Sequence, residues 1–513
     1  MSADELAAAV KQQDAVDAEA FREAAMVEAA ELKREVHEGT FDNSQALVGL
    51  ELELYAVDSR TNALRRVPRQ LLELIGFEKD LGLHNAEMQT APQPLTKYGL
   101  RAQENEIRAH LLPALEKTAA SDIRLVADGM WTVPPVGERA ADYLTDSVEV
   151  DGVRIASNMS RAVRYHAMAN TGFPCRFELD APHVSLQADT VLPESLITSI
   201  QPHYQVPHAP DMPEYFRYAL RVAAPLLAVG VNSPFFPPGL YDDVPAVEIL
   251  DDARMENRIG VFETVLNPPE ESPAEPKVQF PPDFESVEDA IDDVANDTCI
   301  VPMEPTVGTR FDDEFAHFRH KHGSYWRWIR PVFDGPSRTA ANARIEFRPL
   351  PAQPTVRDSV AFEAVFAGLM ESLPRREHPV RALAWAHAKD NFYAAAADGL
   401  QADLAWLTTD GIETTSMEEI LTECFEFARD GLELRGLSTE EARRYIRPLR
   451  ERLDHGITPA RWKHDFVEER VSDGVPLTEA VWGMQAEYVE RQDETLLEGS
   501  FTDWLEGSTH QVR

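Results

Sequence analysis

From Leu47 to Val57 the chain reads LVGLELELYAV, a run in which leucine alternates with glutamate. Side chains two residues apart on a β-strand share a face. The run therefore predicts a strand with Leu50, Leu52 and Leu54 turned to a core and Glu51 and Glu53 side by side on the opposite face. A second alternating segment, Ala343 to Arg348 (ARIEFR), aims Arg344, Glu346 and Arg348 one way and Ile345 and Phe347 the other. A third, Pro182 to Asp189 (PHVSLQAD), does the same with His183, Ser185 and Gln187, and Ile123–Ala127 is a further short β-like run.

The periodicity changes toward both ends. Residues 3 to about 37 are rich in Ala, Glu, Lys and Gln without Gly or Pro, which predicts one long peripheral helix ending near Gly39. From about Arg357 onward the spacing is helical, including Met417–Leu434, Ser438–Leu453 and Pro476–Leu497; the first carries Ile420, Leu421, Cys424, Phe427 and Ala428 on a face that packs. Between Asn267 and Glu285 prolines and glutamates crowd into an exposed loop. Strands scattered between helices and long loops indicate an α+β fold rather than a βαβ alternation. The expected division is an acidic N-terminal helix over 1–40, a core domain over 41–356, and a helical region over 357–513 packed on the core.

Composition weakens the case for a site on any one acidic strand. The 88 Asp and Glu residues against 49 Lys and Arg give a formal net charge of −39, so acids cover most wet surface in any case. Such a field repels a phosphate backbone, which excludes nucleic acid as a partner, and an acid surplus spread along the whole chain resembles the proteins of salt-accumulating (haloarchaeal) cells. Three cysteines, Cys175, Cys299 and Cys424, without metal or disulfide spacing point to a reducing cytoplasm. No run approaches a membrane span and the N-terminus lacks signal-peptide character, so a soluble cytoplasmic protein is expected.

Each acidic segment also has a chemical reading. Glu51 and Glu53 would form one wall of a metal cup. Glu346 between two arginines would be a metal carboxylate beside a guanidinium able to grip a phosphoryl oxygen or a carboxylate, although an ion-pair ladder has the same pattern. Glu87, in Asn85–Thr90 (NAEMQT), is flanked by uncharged polar residues.

Taken in order, these segments resemble the glutamate-cysteine ligase and carboxylate-amine ligase family. GLELELY (Gly49–Tyr55) is similar to its Gly-x-Glu-x-Glu strand, AEMQTAP to its Val-Glu-x-x-Thr segment, and VADGMW (Val126–Trp131) to its Ala-x-Gly-Thr-His-Pro turn. RYHAM (Arg164–Met168) and APHVSLQ resemble the helix and strand that bring a His or Gln to the site. APLLAVGVNSPFFPPG (Ala224–Gly239) is the best literal match. DARMENR, WRWIRP (Trp326–Pro331), RIEFRPLPAQPT (Arg344–Thr355) and KDNFYAAAADGL (Lys389–Leu400) complete the series. Two departures stand out: Ser185 replaces the second His of a His-x-His strand, and Pro351 replaces the hallmark Asp.

The resemblance implies a glutamine synthetase-like domain with a curved antiparallel sheet flanked by helices. The implied reaction is ATP-dependent amide formation through an acyl phosphate, foremost glutamate with cysteine. It also implies Mg²⁺ or Mn²⁺ held by Glu51, Glu53, Glu87, Glu346 and His183, and catalytic Arg348 and Arg330. Arg254, Arg258 and Gln187 would bind substrate. ATP and amino acids are the implied partners, a homodimer is left open, and the alternative is a non-catalytic protein that senses an amino acid or nucleotide on the same fold.

Overall fold

The computed structural model describes residues 1–505 apart from residues 14 and 270. Its N-terminal stretch is two helices, α1 (Ala3–Gln13) and α2 (Ala18–His37), rather than one. Asp17 makes the break: its carboxylate accepts hydrogen bonds from the backbone N–H groups of Glu19 and Ala20, capping a new helix where the first would have continued. Nor is this an outlying arm. Phe21, Ala25, Ala29, Leu32 and Val36 of α2 are buried, and α2 packs against the helices Val287–Asn296 and Ala316–His322.

Seven strands build one antiparallel sheet: β1 (Leu47–Asp58), β2 (Asn85–Gln89), β3 (Gln93–Pro94), β4 (Ile123–Val126), β5 (Ile200–Val206), β6 (Ile329–Asp334) and β7 (Asn342–Phe347). The order across the sheet is β6-β7-β5-β1-β2, with β3 and β4 pairing to the two ends of β1. The sheet curls into a half-barrel. Along β1 the alternation holds, with Val48, Leu50, Leu52 and Leu54 buried and Glu51 and Glu53 half-buried on the other face. The segment 182–189 does form a strand, Val184–Gln187, but it pairs with Glu178–Ala181 in a separate two-stranded ribbon.

Helices α3 (Lys97–Ala119), α4 (Met212–Gly230) and α5 (Val356–Ser372) back the sheet. Nearly every residue of α4 and α5 is buried, the charged Arg221, Asp358, Glu363 and Glu371 included. The C-terminal region is helical as its periodicity predicts, with α6 (Met417–Leu434), α7 (Thr439–His455), α8 (Pro459–Ser472) and α9 (Leu477–Thr495). Helix α6 lies against α5 so closely that a Cβ on Gly431 would sit 1.8 Å from the Gly368 carbonyl oxygen. Only glycine fits there. The Pro/Glu-rich loop is a loop, but Lys277, Val278, Phe280 and Phe284 are buried, so its second half is laid into the core rather than projecting.

Glu363 of α5 is a buried carboxyl facing Gln103 of α3, whose Nε2 donates to Glu363 Oε1 at 2.9 Å and to the Val48 carbonyl at 3.1 Å. Burial pushes this carboxyl from 4.5 up to about 8. A carboxyl raised by folding binds a proton that the unfolded chain releases, so its stabilisation is complete below about pH 4.5 and is lost as pH climbs through about 8. Glu363→Gln keeps the acceptor and removes the titration. Its melting temperature is expected to gain on that of the unsubstituted protein steadily between about pH 5 and pH 8; a pH-independent difference would contradict this assignment.

Among the described residues, no helix is long and apolar enough to cross a membrane, and the three cysteines are free.

Candidate active site

Cross-strand register decides which side chains meet. Glu53 on β1 stands opposite Glu87 on β2, and Glu51 opposite Gln201 on β5. His203 on β5 stands opposite Glu346 on β7, which in turn faces Arg330 on β6. Because every second residue shares a face, these pairings place Glu87, Glu51, Glu53, Gln201, His203, Glu346 and Arg330 on one concave surface spanning five strands. Arg348, one residue beyond β7, joins them.

This surface lines two cavities. The first, of about 200 Å³, is walled by Glu51, Glu53, Glu87, Gln201, Arg330 and Arg348, and closed by Asp80, Tyr165, Glu194, Phe262 and Trp326 from loops and helices above the sheet. The second, of about 460 Å³, lies along the same face and shares Glu51 with the first; His203, Gln205, Arg310, Asp334 and Arg344 border it. One side of the first cavity is acidic and the other cationic.

The cationic side is tightly built. Glu346 is buried, and its carboxylate accepts from Arg348 Nη1 at 2.6 Å and pairs with Arg330 Nη2 at 2.8 Å. Burial opposes its ionisation, but Arg330 and Arg348 outweigh that and hold it well below the usual carboxylate range. Arg348 also donates to Gln201 Oε1 at 2.8 Å, so its planar fork is fixed in direction. Arg330 reaches the His322 and Tyr325 carbonyls.

The acidic side is the converse. Burial first, then Glu51 and Glu53, push Glu87 up to about 8. Burial and Glu53 push Glu194 to about 8 against the pull of Arg348 and Arg258, and Asp80 is raised by burial and by Glu53, Glu194 and Glu87. Glu53 is also raised by burial, although it accepts hydrogen bonds from Ser199 N, Ser199 Oγ and Gln201 Nε2 at 2.7, 3.1 and 2.9 Å.

Carboxylates that resist ionisation because they are buried, and next because they face one another, offer hard oxygen ligands to a divalent cation, and the donor set fits Mg²⁺ or Mn²⁺. Among the described residues only His464, Asp465 and Glu468 of α8, on a partly exposed surface, bring three ligand atoms within 4.8 Å of one another.

Of the residues singled out in the sequence, Glu51, Glu53, Glu87, Glu346, Arg330 and Arg348 meet on this face. Three do not reach it. His183 sits on the separate ribbon, where Nε2 meets Asp252 at 2.8 Å, and Gln187 is exposed on the same ribbon; Arg254 is exposed on the loop before the helix Asn257–Leu266. Hence the Ser185 departure leaves the cavity untouched. Arg258 does reach it, lining a small recess between Glu53 and Arg348. Its guanidinium, however, is stacked on Trp328, paired with Glu256 at 3.5 Å and donating to the Arg348 and Pro349 carbonyls. It therefore holds the chain leaving β7.

The histidine of the site is His203. Its Nδ1 accepts from Arg344 Nε at 3.2 Å, which leaves the proton on Nε2, 3.3 Å from Glu51 Oε1.

The sequence pattern of glutamate-cysteine ligase family 2 (GCS2) matches residues 47–494. The chain belongs to this family. Membership sets it among ATP-dependent carboxylate-amine ligases, and the matched span includes every residue named on the sheet face. No curated protein matches by sequence.

Among solved structures, glutamate–cysteine ligase from Francisella tularensis in complex with AMP is similar over 91% of this chain and 93% of its own, with 14% identity and a TM-score of 0.52. The likeness is one of fold. A bifunctional glutathione synthetase from Pasteurella multocida (11% identity, 91% of this chain and 55% of its own, TM-score 0.47) is also similar. So is the complex of prokaryotic ubiquitin-like protein Pup with its ligase PafA (12% identity, 85% and 71%, TM-score 0.38).

Proposed function

We propose that the protein joins the γ-carboxylate of glutamate to the amine of cysteine at the expense of ATP. The supporting observation is the sheet face, on which Glu51, Glu53 and Glu87 oppose the Arg330–Glu346–Arg348 triad across one cavity. The choice of substrates rests on the family. In the reaction a carboxylate oxygen attacks the γ-phosphorus of ATP and ADP leaves. The amine nitrogen then attacks the carbonyl carbon of the acyl phosphate, expelling phosphate and giving up a proton.

Phosphoryl transfer asks mainly for positioning and charge neutralisation. Arg348, aimed by Glu346 and Gln201, and Arg330, anchored by Glu346 and two carbonyls, present rigid donors to the transferring phosphoryl oxygens. A divalent cation held by Glu51, Glu53 and Glu87 would neutralise the ATP phosphates. Tyr165, Phe262 and Trp326 close the cavity above the sheet and shelter the acyl phosphate from water.

The test is a panel of amino-acid pairs assayed for ADP and phosphate release with Mg²⁺, in low salt and in molar KCl. Glutamate with cysteine is expected to stimulate release most strongly. Excess EDTA should abolish turnover and added MgCl₂ restore it. If no pair of acid and amine raises release above background, the proposal fails.

A further inference from the structure

Away from the sheet, α6 and α7 border an open surface cleft of about 700 Å³. Six arginines line it: Arg357 at the start of α5, Arg429 on α6, and Arg443, Arg444, Arg447 and Arg450 on α7. The only acids lining it are Glu426 and Glu440, and its floor is the buried pair Phe425 and Ile446. In a chain with 88 acids to 49 bases, a lining of six arginines and two acids is the opposite of the overall balance.

Internal salt bridges account for only part of this charge. Arg429 pairs with Asp430, Arg444 with Glu104, and Arg450 with Asp454, while Arg447 stands 3.7 Å from Glu451. Arg443 and Arg357 have no acidic partner among the described residues, and the Nε of Arg357 is buried without a hydrogen-bond partner. Guanidinium forks suit phosphate and carboxylate oxygens, and an apolar floor suits a ring or short hydrocarbon body.

We propose that this cleft is a second binding site, separate from the ligase cavity, for a small phosphate-bearing anion with an apolar or aromatic body. Its volume, about 700 Å³, is that of a small-molecule site.

The site can be probed with 8-anilinonaphthalene-1-sulfonate, an anion on an aromatic body, in metal-free buffer and with tripolyphosphate as competitor. Saturable fluorescence that tripolyphosphate displaces is expected. The exposed charge reversals Arg443→Glu and Arg447→Glu, made together, should weaken the dye by about tenfold or more, while Arg348→Gln leaves it unchanged. Equal binding by the double variant and the unsubstituted protein, loss in Arg348→Gln, or failure of tripolyphosphate to compete would each overturn the proposal. So would a ligand-free dimer, seen by sedimentation, that the double variant alone dissociates, because the cleft would then be an interface between copies.

Discussion

Glu51→Gln is expected to lower amine-stimulated ADP release by on the order of 10²–10³-fold, the usual loss when one preorganised charge is removed from a reacting centre, with the fold intact. Glu51 is half-buried, and among the described residues its one polar contact is His203 Nε2 at 3.3 Å, so little packing depends on it. Its charge matters because it is the neighbour that, after burial, most raises Glu87. Neutralising it should therefore ease the ionisation of Glu87 while removing one oxygen ligand for the cation. Urea unfolding should shift by no more than about 0.5 kcal/mol. Full activity in the variant would return Glu51 to the status of a wet strand face.

The second large effect concerns stability. Asp128, in the turn after β4, is fully buried against Lys463 of α8 and also accepts from Gln485 Nε2 at 2.8 Å and from Gly129 N at 2.7 Å. Lys463 donates in addition to the Asn232 carbonyl at 2.7 Å. This network joins the C-terminal helices to the loops behind the active site, since the Thr198 hydroxyl donates to the Asp128 carbonyl and Ser199 is the donor to Glu53.

Burial raises the Asp128 carboxyl and lowers the Lys463 ammonium, so each ion tolerates the interior only through its partner. Asp128→Ala leaves the lysine unpaired and is expected to cost about 3–5 kcal/mol in urea unfolding, of which Asp128→Ala with Lys463→Met recovers the greater part. A single variant with unchanged stability would mean that water already reaches the pair.

Alternation made two walls of the site legible in the sequence. Leu50–Leu54 of β1 and Ala343–Phe347 of β7 alternate in sequence, and register then did the rest by setting Glu53 against Glu87 and Glu346 against Arg330. The central strand β5 was hidden by Pro202, which removes a ladder donor and usually marks a strand edge, yet here stands opposite Leu50. Gln201 and His203 were lost with it, although Gln201, His203 and Gln205 against Tyr204 and Val206 carry the same alternation.

Asp80 and Glu194 left no signal. They arrive from a loop and a short 3₁₀ turn, and in a chain this acidic nothing local distinguishes them. His183 showed the opposite failure. Strand spacing found the strand Val184–Gln187, but His183 falls in the left-handed turn just before it, and spacing cannot say which sheet an element joins. The N-terminal helix erred for a local reason, a capping aspartate within a run of helix formers.

Oxygen transfer tests amide ligation on this sheet face most directly. Glutamate labelled with oxygen-18 in both γ-carboxylate oxygens is incubated with ATP, Mg²⁺ and cysteine, and the released phosphate is analysed by mass spectrometry. An acyl phosphate intermediate predicts one labelled oxygen in each phosphate released and one retained in the new amide. Unlabelled phosphate accompanying amide formation, or ADP release without any amide, would contradict it.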